Sequence, residues 1–252
     1  MKPKISIVTA TYNSERFLDD LIKSIFGQTY QNWEWIITDD CSSDNTFGIL
    51  SDLQKKDPRV KVYQNSINSG AAVSRNNCLK HATGDYVAFV DSDDIWLSEK
   101  LSMQIDFMVQ YHLDFTFTAY SLIDEKGQLK NSVIDNNNKK TEFNYNDMLN
   151  KRATLGCSTV ILRRNIIDDF NMPLLRTGQD YAFWLKILKE NHTAVLLPVP
   201  LTRYRIVSNS ISRNKFKKAK RQWEIYRKVE KLGLWHAFFC FTNYAYRAVF
   251  RG

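Results

Sequence analysis

Residues 84–94 have the sequence Gly-Asp-Tyr-Val-Ala-Phe-Val-Asp-Ser-Asp-Asp, an apolar run followed at once by a cluster of carboxylates. The run Tyr86–Val90 is short and follows the turn Thr83-Gly84, which is typical of a buried β-strand. The cluster Asp91–Asp94 therefore lies at the carboxyl end of a predicted strand.

The sequence before this strand repeats a unit of one strand and one helix. Ser14–Gly27 carries apolar residues at helical spacing, with Ser14 as the predicted amino-terminal cap and Gly27 at the other end. Such alternation predicts an α/β fold with a mostly parallel central sheet and helices on its faces. The predicted strands are Lys4–Thr9, Trp33–Thr38, Val60–Gln64 and Tyr86–Val90, and the further predicted helices are Asp44–Lys56 and Ala71–Ala82.

Polar clusters follow all four predicted strands. Because the carboxyl ends of parallel strands share one edge of the sheet, and ligands of open α/β sheets bind there, four clusters on that edge predict a binding site. In chain order the clusters are Thr11-Tyr12-Asn13, Asp39-Asp40, Asn68-Ser69-Gly70 and Asp91-Ser92-Asp93-Asp94.

The second half of the chain has a less regular pattern. Its turn residues Glu125-Lys126-Gly127 predict a hairpin, and the Asn/Lys-rich stretch Asn131–Lys140 predicts a mobile loop. The predicted strands are Leu113–Tyr120, Cys157–Leu162, Ala194–Leu197 and Leu201–Arg205, and the predicted helix is Asp180–Glu190.

The acidic cluster after the fourth strand is a candidate metal site. Carboxylates spaced one residue apart in a turn bind hard divalent cations such as Mg²⁺ or Mn²⁺. Asp is also common in turns and helix caps, and for an isolated Asp-x-Asp that interpretation is the better one. The position of Asp91 and Asp93 on the shared edge favours the metal.

Other edge residues are candidates for nucleotide binding. Asp39 and Asp40 could accept hydrogen bonds from a base or a ribose, and Tyr12 could stack on a base. Arg75 could face a diphosphate, although a lone helical Arg is usually solvated. Asp44 is interpreted only as a helix cap.

Asp180 has two interpretations that the sequence leaves open. At the start of an apolar helix its carboxylate could simply cap the helix and favour its dipole. A carboxylate held there beside bound substrate could instead take the proton from an attacking hydroxyl.

Composition indicates one globular catalytic domain. The four cysteines, Cys41, Cys78, Cys157 and Cys240, show no metal-ligand or disulfide pattern. No signal-peptide pattern or membrane-spanning run is present, so the sequence predicts a cytoplasmic protein.

The net charge of +8 is concentrated in the C-terminal segment, which residues 211–252 define. From Arg213 onward there are eleven Lys or Arg and two Glu, interleaved with aromatic residues. This composition predicts helices lying on an anionic membrane surface, at the inner face of the plasma membrane. The alternative is that the aromatic side chains pack on the body while the charges face water. No nucleic-acid recognition motif is present.

Taken in order, six motifs resemble glycosyltransferase family 2 over residues 3–210. Each is weak alone, and their combination and spacing are specific. They are Val8–Asn13, Thr38–Asp44, Asn68–Asn76, Gly84–Asp94, Gln179-Asp180 and Tyr204-Arg205.

The resemblance implies a GT-A catalytic domain over residues 1–210 and an inverting transfer from a nucleotide diphosphate sugar, most often UDP-linked. It implies Asp180 as the general base and Asp93 as the ligand of a divalent Mn²⁺ or Mg²⁺. The acceptor would be a hydroxyl of a lipid-linked or surface polysaccharide intermediate. The implied nucleotide-sugar residues are Thr11, Tyr12, Asn13, Asp39, Asp40, Asn68, Arg75, Asp91 and Ser92.

Two departures from the family pattern and two alternatives accompany this resemblance. Gln179 stands where many members have Glu, and Cys41 where Gly or Ala is common. Gln222-Trp223 lacks the Gln-x-x-Arg-Trp spacing of processive members, which implies single addition. The alternatives are a sugar nucleotidyltransferase, whose Gly-rich loop is missing after the first strand, and a non-catalytic binding protein recruited to the membrane by the C-terminal segment.

Overall fold

A computed structural model describes residues 2–136, 139–207 and 215–250. Within these ranges ten strands form one mixed sheet in the order β3-β2-β1-β4-β9-β6-β10-β5, with β7 beside β6 and β8 beside β10. The strands are β1 Ile5–Thr11, β2 Trp33–Asp39, β3 Val60–Gln64, β4 Tyr86–Phe89, β5 Ile95–Trp96, β6 Phe115–Ile123, β7 Leu129–Ile134, β8 Glu142–Phe143, β9 Ile161–Arg163 and β10 Ala194–Arg205.

Eight α-helices cover the sheet in the described ranges. They are α1 Glu15–Phe26, α2 Thr46–Lys56, α3 Ala71–His81, α4 Lys100–Gln110, α5 Tyr145–Leu149, α6 Gln179–Lys189, α7 Lys215–Glu224 and α8 Leu234–Phe250. A π-helical turn, Ile225–Val229, follows α7 directly. No helix in these ranges combines the length and hydropathy needed to cross a bilayer.

The predicted α/β class is confirmed, and the parallel arrangement holds for the first half of the chain. The strands β3, β2, β1 and β4 are parallel neighbours. Beyond β4 the sheet becomes mixed, because β9 runs antiparallel to both β4 and β6. All four parallel strands end at one edge, as the polar clusters predicted.

The alternation of side chains along the strands divides the core between the two faces of the sheet. On β1, Ile5 and Ile7 pack on the face covered by α1 and α4, whereas Val8 packs on the opposite face. Phe89 of β4 shares the face of Val8 and contacts Trp184 of α6 with ring centroids 5.4 Å apart. This contact fixes α6 against the strand that leads into the acidic loop.

Four local predictions were wrong. The strand predicted at Cys157–Leu162 begins later, because Cys157–Thr159 form a 3-10 turn and β9 starts at Ile161. Asn131–Ile134, expected in a mobile loop, belong to β7, because the Gly127 turn (φ +81°) closes a hairpin that pairs them with β6. The two strands predicted around Pro198 and Pro200 are one strand, β10, in which the register shifts at Pro200 rather than ending. Ser14 does not cap α1.

Lys100 places a cation inside the core at the start of α4. Its side chain is fully buried, its ammonium donates to Gln104 Oε1 at 2.7 Å, and it lies 4.5 Å from the centroid of the Trp96 ring. Burial lowers the pKa of Lys100 to about 7. The unfolded chain, with a normal lysine pKa, therefore binds more protons than the folded one between about pH 7 and pH 10.

We expect Lys100→Met to stabilise the protein at pH 6 and to do so less as the pH rises. The stability of the native chain should increase by up to about 1.4 kcal/mol per pH unit above pH 7, a slope that the variant lacks. Urea unfolding at pH 6, 7 and 9 measures the difference. The same substitution at exposed Lys55 is the control and should show a flat difference. If the difference in free energy of unfolding between Lys100→Met and the native protein did not change with pH, the lowered pKa of Lys100 would be contradicted.

The C-terminal segment packs on the catalytic body through one side and exposes the other. Tyr226 is fully buried and donates to the Leu149 carbonyl, and Glu230 accepts hydrogen bonds from Tyr145 and Lys189. On α8, Ala237 and Cys240 are buried. Its opposite face, which we call the aromatic face, consists of exposed Leu234, Trp235, Phe238, Phe239 and Tyr246.

Candidate active site

The acidic loop after β4 is held in place by two residues from distant parts of the chain. Asp94 is buried and accepts hydrogen bonds from Ser158 Oγ at 2.5 Å and from the Arg205 backbone N–H at 2.8 Å. Burial, together with the charges of Asp93 and Asp91, raises the pKa of Asp94 well above its usual range. Asp94 therefore organises the loop from within and presents no free carboxylate to a ligand.

Arg205 is a structural residue rather than a mobile one. Its guanidinium is 1% exposed, donates to the Asp93 carbonyl at 2.8 Å and pairs with Asp20 at 2.8 Å. It also donates to the Glu125 carbonyl. Arg205 thus ties the acidic loop to α1 and to the hairpin after β6, a role that its position in the sequence does not indicate.

Asp91 and Asp93 are the carboxylates that this loop directs into the site. Burial first, and then the negative charge of Asp91, raise the pKa of Asp93 to about 6. A carboxylate whose ionisation is opposed by burial and by a neighbouring negative charge is stabilised by a cation beside it. Their chemistry therefore fits a hard divalent metal.

A protein-only metal cage is not part of this arrangement. In the described part of the chain no three His, Cys, Asp or Glu side chains are grouped so that they could hold an ion. Mg²⁺ and Mn²⁺ sites in nucleotide enzymes commonly use one or two carboxylates, with phosphate oxygens and water completing the shell. Asp93, with Asp91 beside it, matches that smaller set.

Arg75 links the acidic loop to α3. Its Nη2 donates to Asp91 Oδ1 at 2.5 Å, and the side chain is almost fully buried. Burial opposes its charge, yet the pKa of Arg75 is raised, because Cys157, Asp91 and Asp180 all lie close enough to stabilise the cation. Its Nε and Nη1 have no hydrogen-bond partner. Arg75 is thus a buried cation at the site and not the solvated residue that its type suggests.

Asp180 lies in the first turn of α6, directly after Gly178 and Gln179. Gly178 has φ +75°, a left-handed conformation that suits glycine, and this turn starts the helix. No described group donates a hydrogen bond to the Asp180 carboxylate. The side chain is partly exposed and lines the same cavity as Asp91 and Asp93. It is therefore available to accept a proton from a ligand.

The loop after β1 is joined to the acidic loop. Ser14 Oγ lies 2.7 Å from Ser92 Oγ. Asn13 has φ +47° and accepts a hydrogen bond from the Ser43 backbone N–H at 2.8 Å. Thr11 is buried, whereas Tyr12 is 49% exposed. Of these residues Tyr12 alone offers a free aromatic surface.

Asp39 and Asp40 are buried, and protein groups occupy their carboxylates. Asp39 accepts from the Ser42 backbone at 3.0 Å and from Gln64 Nε2 at 3.0 Å. Asp40 accepts from the backbone N–H groups of Ser69 at 2.8 Å and Gly70 at 2.7 Å. In this structure both carboxylates organise the loops at the ends of β2 and β3.

Asn68 has a partner that the sequence did not indicate. Its Oδ1 accepts from Arg176 Nη2 at 2.8 Å, and Arg176 Nη1 lies 3.1 Å from where a Cβ on Gly70 would stand. Gly70 has φ +92°. Arg176, which is exposed, thus adds a cation beside the loop after β3, at the edge that we call the nucleotide edge because its residues Tyr12, Asp39, Asp40 and Asn68 are predicted to bind the nucleotide.

Cys41 is one of the two departures from the family pattern, and its backbone explains it. With φ +62° it adopts the left-handed conformation that Gly takes without strain. Cys at this position therefore has backbone strain that Gly would not have. Asp39 and Asp40 beside it form the hydrogen bonds described above.

One cavity of about 480 Å³ is lined by three carboxylates that were predicted to bind the metal, bind the donor or act as general base, namely Asp93, Asp91 and Asp180. Thr11, Tyr12, Asn13, Asp39, Asp40, Asn68, Arg75 and Ser92 lie outside its lining, along the neighbouring sheet edge. The C-terminal segment forms a second wall of this cavity, which its sequence pattern did not predict. The residues of this wall are Lys218, Arg221, Gln222, Ile225 and Tyr244.

The mixed sheet, flanked by helices and with an acidic loop at its edge, agrees with the expected GT-A fold. The assignment to a family follows from direct comparison with known proteins. Residues 6–170 match the family described as glycosyl transferase family 2, so the chain belongs to that family.

Relatives of nearly the same length support the assignment. The chain is 43% identical over 248 residues to the putative teichuronic acid biosynthesis glycosyltransferase TuaG of Bacillus subtilis, covering 98% of this chain and 97% of the relative. It is 40% identical over 223 residues to the Escherichia coli enzyme UDP-Glc:alpha-D-GlcNAc-diphosphoundecaprenol beta-1,3-glucosyltransferase WfgD, covering 88% and 84%.

A solved structure supports the fold. The Staphylococcus aureus TarS fragment 1–349 in complex with UDP-GlcNAc superposes with a TM-score of 0.74 at 24% identity, covering 94% of this chain and 70% of that one.

Proposed function

We propose that this glycosyltransferase moves one sugar from a UDP-sugar, with inversion, to a hydroxyl of a diphosphate-linked lipid acceptor. The observation that carries the proposal is the cavity that Asp180 lines together with Asp91 and Asp93. The printed activity of WfgD, a 40% identical relative, supports both the donor and the acceptor class. The UDP-GlcNAc complex of TarS, which has the same fold, supports the nucleotide.

The residues divide the reaction between them. Asp180 takes the proton of the acceptor hydroxyl as its oxygen forms the bond to the anomeric carbon. The bond from that carbon to the donor phosphate breaks on the opposite face, and the nucleoside diphosphate leaves. A single displacement of this kind inverts the configuration at the carbon. Arg75 holds Asp91 in place and adds positive charge beside the departing group.

A divalent Mn²⁺ or Mg²⁺ held by Asp93, with Asp91 beside it, would neutralise charge on the donor phosphates. The remaining edge residues are proposed to hold the nucleotide. Tyr12 would stack on the base, and Asp39 and Asp40 would keep the surrounding loops in shape. Thr11, Asn13, Asn68 and Ser92 would complete this edge.

A titration with nucleotide sugars tests the proposal. UDP-, GDP-, CMP- and dTDP-sugars are added with and without Mn²⁺, and the melting temperature and slow donor hydrolysis are followed. We expect a UDP-sugar to raise the melting temperature only when Mn²⁺ is present. A response to another nucleotide alone would correct the donor, and no response in folded protein would refute the function.

The C-terminal segment is proposed to bring the enzyme to the inner face of the plasma membrane. The aromatic face carries Trp235, which is 84% exposed, together with Phe238 and Phe239. Exposed Arg227 and Lys228 precede it along the chain. Aromatic rings beside cations match a bilayer surface that contains anionic lipid. One side of the segment packs on the body, as the alternative interpretation expected, and the exposed side is the one proposed to contact the membrane.

We expect the triple variant Trp235→Ser, Phe238→Ser, Phe239→Ser to bind phosphatidylglycerol-containing vesicles at least about tenfold more weakly, because each lost aromatic contact reduces the buried apolar area. Vesicle sedimentation measures binding. The matched control replaces three exposed apolar residues of α4 and its end, Met103, Val109 and Tyr111, with Ser. Equal binding by both triple variants would rule out the aromatic face as the membrane contact.

A further inference from the structure

Lys218 and Arg221 are three residues apart on α7 and line the catalytic cavity together. Burial, and then the positive charge of Arg221, lower the pKa of Lys218. Among the described residues neither side chain forms an ion pair with a carboxylate within 4 Å, and of the three Asp residues that line the cavity, Asp91 is already paired with Arg75. Two adjacent, partly buried cations repel each other unless an anion lies between them.

Arg221 also keeps hydrogen-bonding capacity that the protein does not use. Its Nε is buried without a partner, while its guanidinium bonds to Tyr244 on α8. A buried unsatisfied donor costs free energy, so it is usually matched by a ligand or by water. A planar guanidinium beside an ammonium is suited to the oxygens of a phosphate group.

The position of this pair relates it to the acceptor. A Cβ placed on Gly178 would stand 2.9 Å from Arg221 Cδ and 3.0 Å from its Nε. Gly178 precedes the general base by two residues, so α7 packs directly against the turn that presents Asp180. The hydroxyl that loses its proton must bind beside Asp180, and the cations of α7 form the adjoining wall.

We propose that Lys218 and Arg221 form a subsite for the diphosphate of the acceptor. The inference rests on the proposed function, since it takes the acceptor to be a sugar on a diphosphate-linked lipid. The nucleotide edge, with Tyr12, Asn68 and Arg176, lies at the loops after β1 and β3 and outside the cavity lining. The donor phosphates are assigned to the metal that Asp93 would hold and to Arg75, so we assign the pair on α7, which packs against the turn before Asp180, to the acceptor.

The test measures binding without turnover, in full-length protein saturated with UDP and Mn²⁺. Calorimetry compares decyl diphosphate with the uncharged decyl glucoside. The variants are Lys218→Gln, Arg221→Gln and Arg221→Lys, with Lys220→Gln as the control, because Lys220 is exposed on the same helix and its loss removes the same charge. Melting temperatures establish that each variant is folded.

We expect Arg221→Gln and Lys218→Gln each to weaken decyl diphosphate binding about tenfold or more, with Arg221→Lys partly restoring it and Lys220→Gln having less than a twofold effect. UDP affinity should stay within about twofold in all of them. Unchanged decyl diphosphate binding combined with weaker UDP binding would assign the pair to the donor. If Lys220→Gln weakened decyl diphosphate binding as much as the other variants, the effect would come from the net charge of α7 and not from a specific subsite. Both results overturn the subsite, and neither bears on the UDP-sugar titration.

Discussion

Asp180→Asn is expected to lower kcat by about 10²- to 10⁴-fold while leaving the affinity for the donor nearly unchanged. The amide has the shape of the carboxylate but cannot take a proton from the acceptor hydroxyl. The effect should fall on transfer alone, because Asp180 faces the cavity from α6 and the nucleotide edge is built from other loops. Steady-state transfer and calorimetric titration with the donor measure the two quantities.

The control for this variant is Asp168→Asn, which makes the same chemical change at an exposed carboxylate. It should keep full transfer. Weak donor binding in folded Asp180→Asn would remove the assignment as general base and would place Asp180 with the donor. Transfer that remained at the native rate would show that another group takes the proton.

Asp93→Asn is expected to abolish the stabilisation that Mn²⁺ and donor confer together, and to reduce kcat/KM by roughly 10³-fold, since the metal supplies several kcal/mol of charge stabilisation. An amide oxygen is a much weaker ligand for a hard cation than a carboxylate. Melting curves with and without Mn²⁺, measured beside transfer, separate loss of the metal from loss of the fold.

Asp94→Asn provides the comparison at the adjacent position. Burial and the neighbouring charges disfavour the ionised form of Asp94, and the Asn amide oxygen can still accept the hydrogen bond from the Arg205 backbone, so the melting temperature should stay nearly unchanged. The response to Mn²⁺ should remain. If Asp94→Asn lost that response and Asp93→Asn kept it, the metal ligand would be Asp94.

The first half of the fold follows closely from its sequence because each element there carries its own signal. The run Tyr86–Phe89 forms β4, and the apolar spacing after Ser14 forms α1. The edge clusters meet as expected, since parallel neighbours must end at the same side. These features depend on residues that are close together in the chain.

The parts that could not be predicted depend on contacts between distant residues. Pro198 and Pro200 suggested a break, but pairing with β6 carries β10 through them. Ser is a common residue at helix caps, yet the Ser14 hydroxyl forms a hydrogen bond with the Ser92 hydroxyl on another loop. Arg205 belongs to one of the six family motifs, and its burial and four oxygen partners, which no local pattern indicates, make it a support for the acidic loop.

The second wall of the cavity could not be predicted from the sequence. The reason is the charge pattern of the C-terminal segment, which forms this wall. Eleven basic residues after position 212 indicated a surface that faces away from the body. The two that matter for the cavity, Lys218 and Arg221, are indistinguishable by type from their neighbours. What separates them is the packing of α7 on Gly178, which no local pattern encodes.

The order of synthesis gives this wall a further consequence. The strands β1–β4, the acidic loop and Asp180 emerge from the ribosome before Lys218, Arg221 and Tyr244. The carboxylates of the site are therefore synthesised before the residues of its second wall. The site closes only when α7 and α8 have been made and have docked.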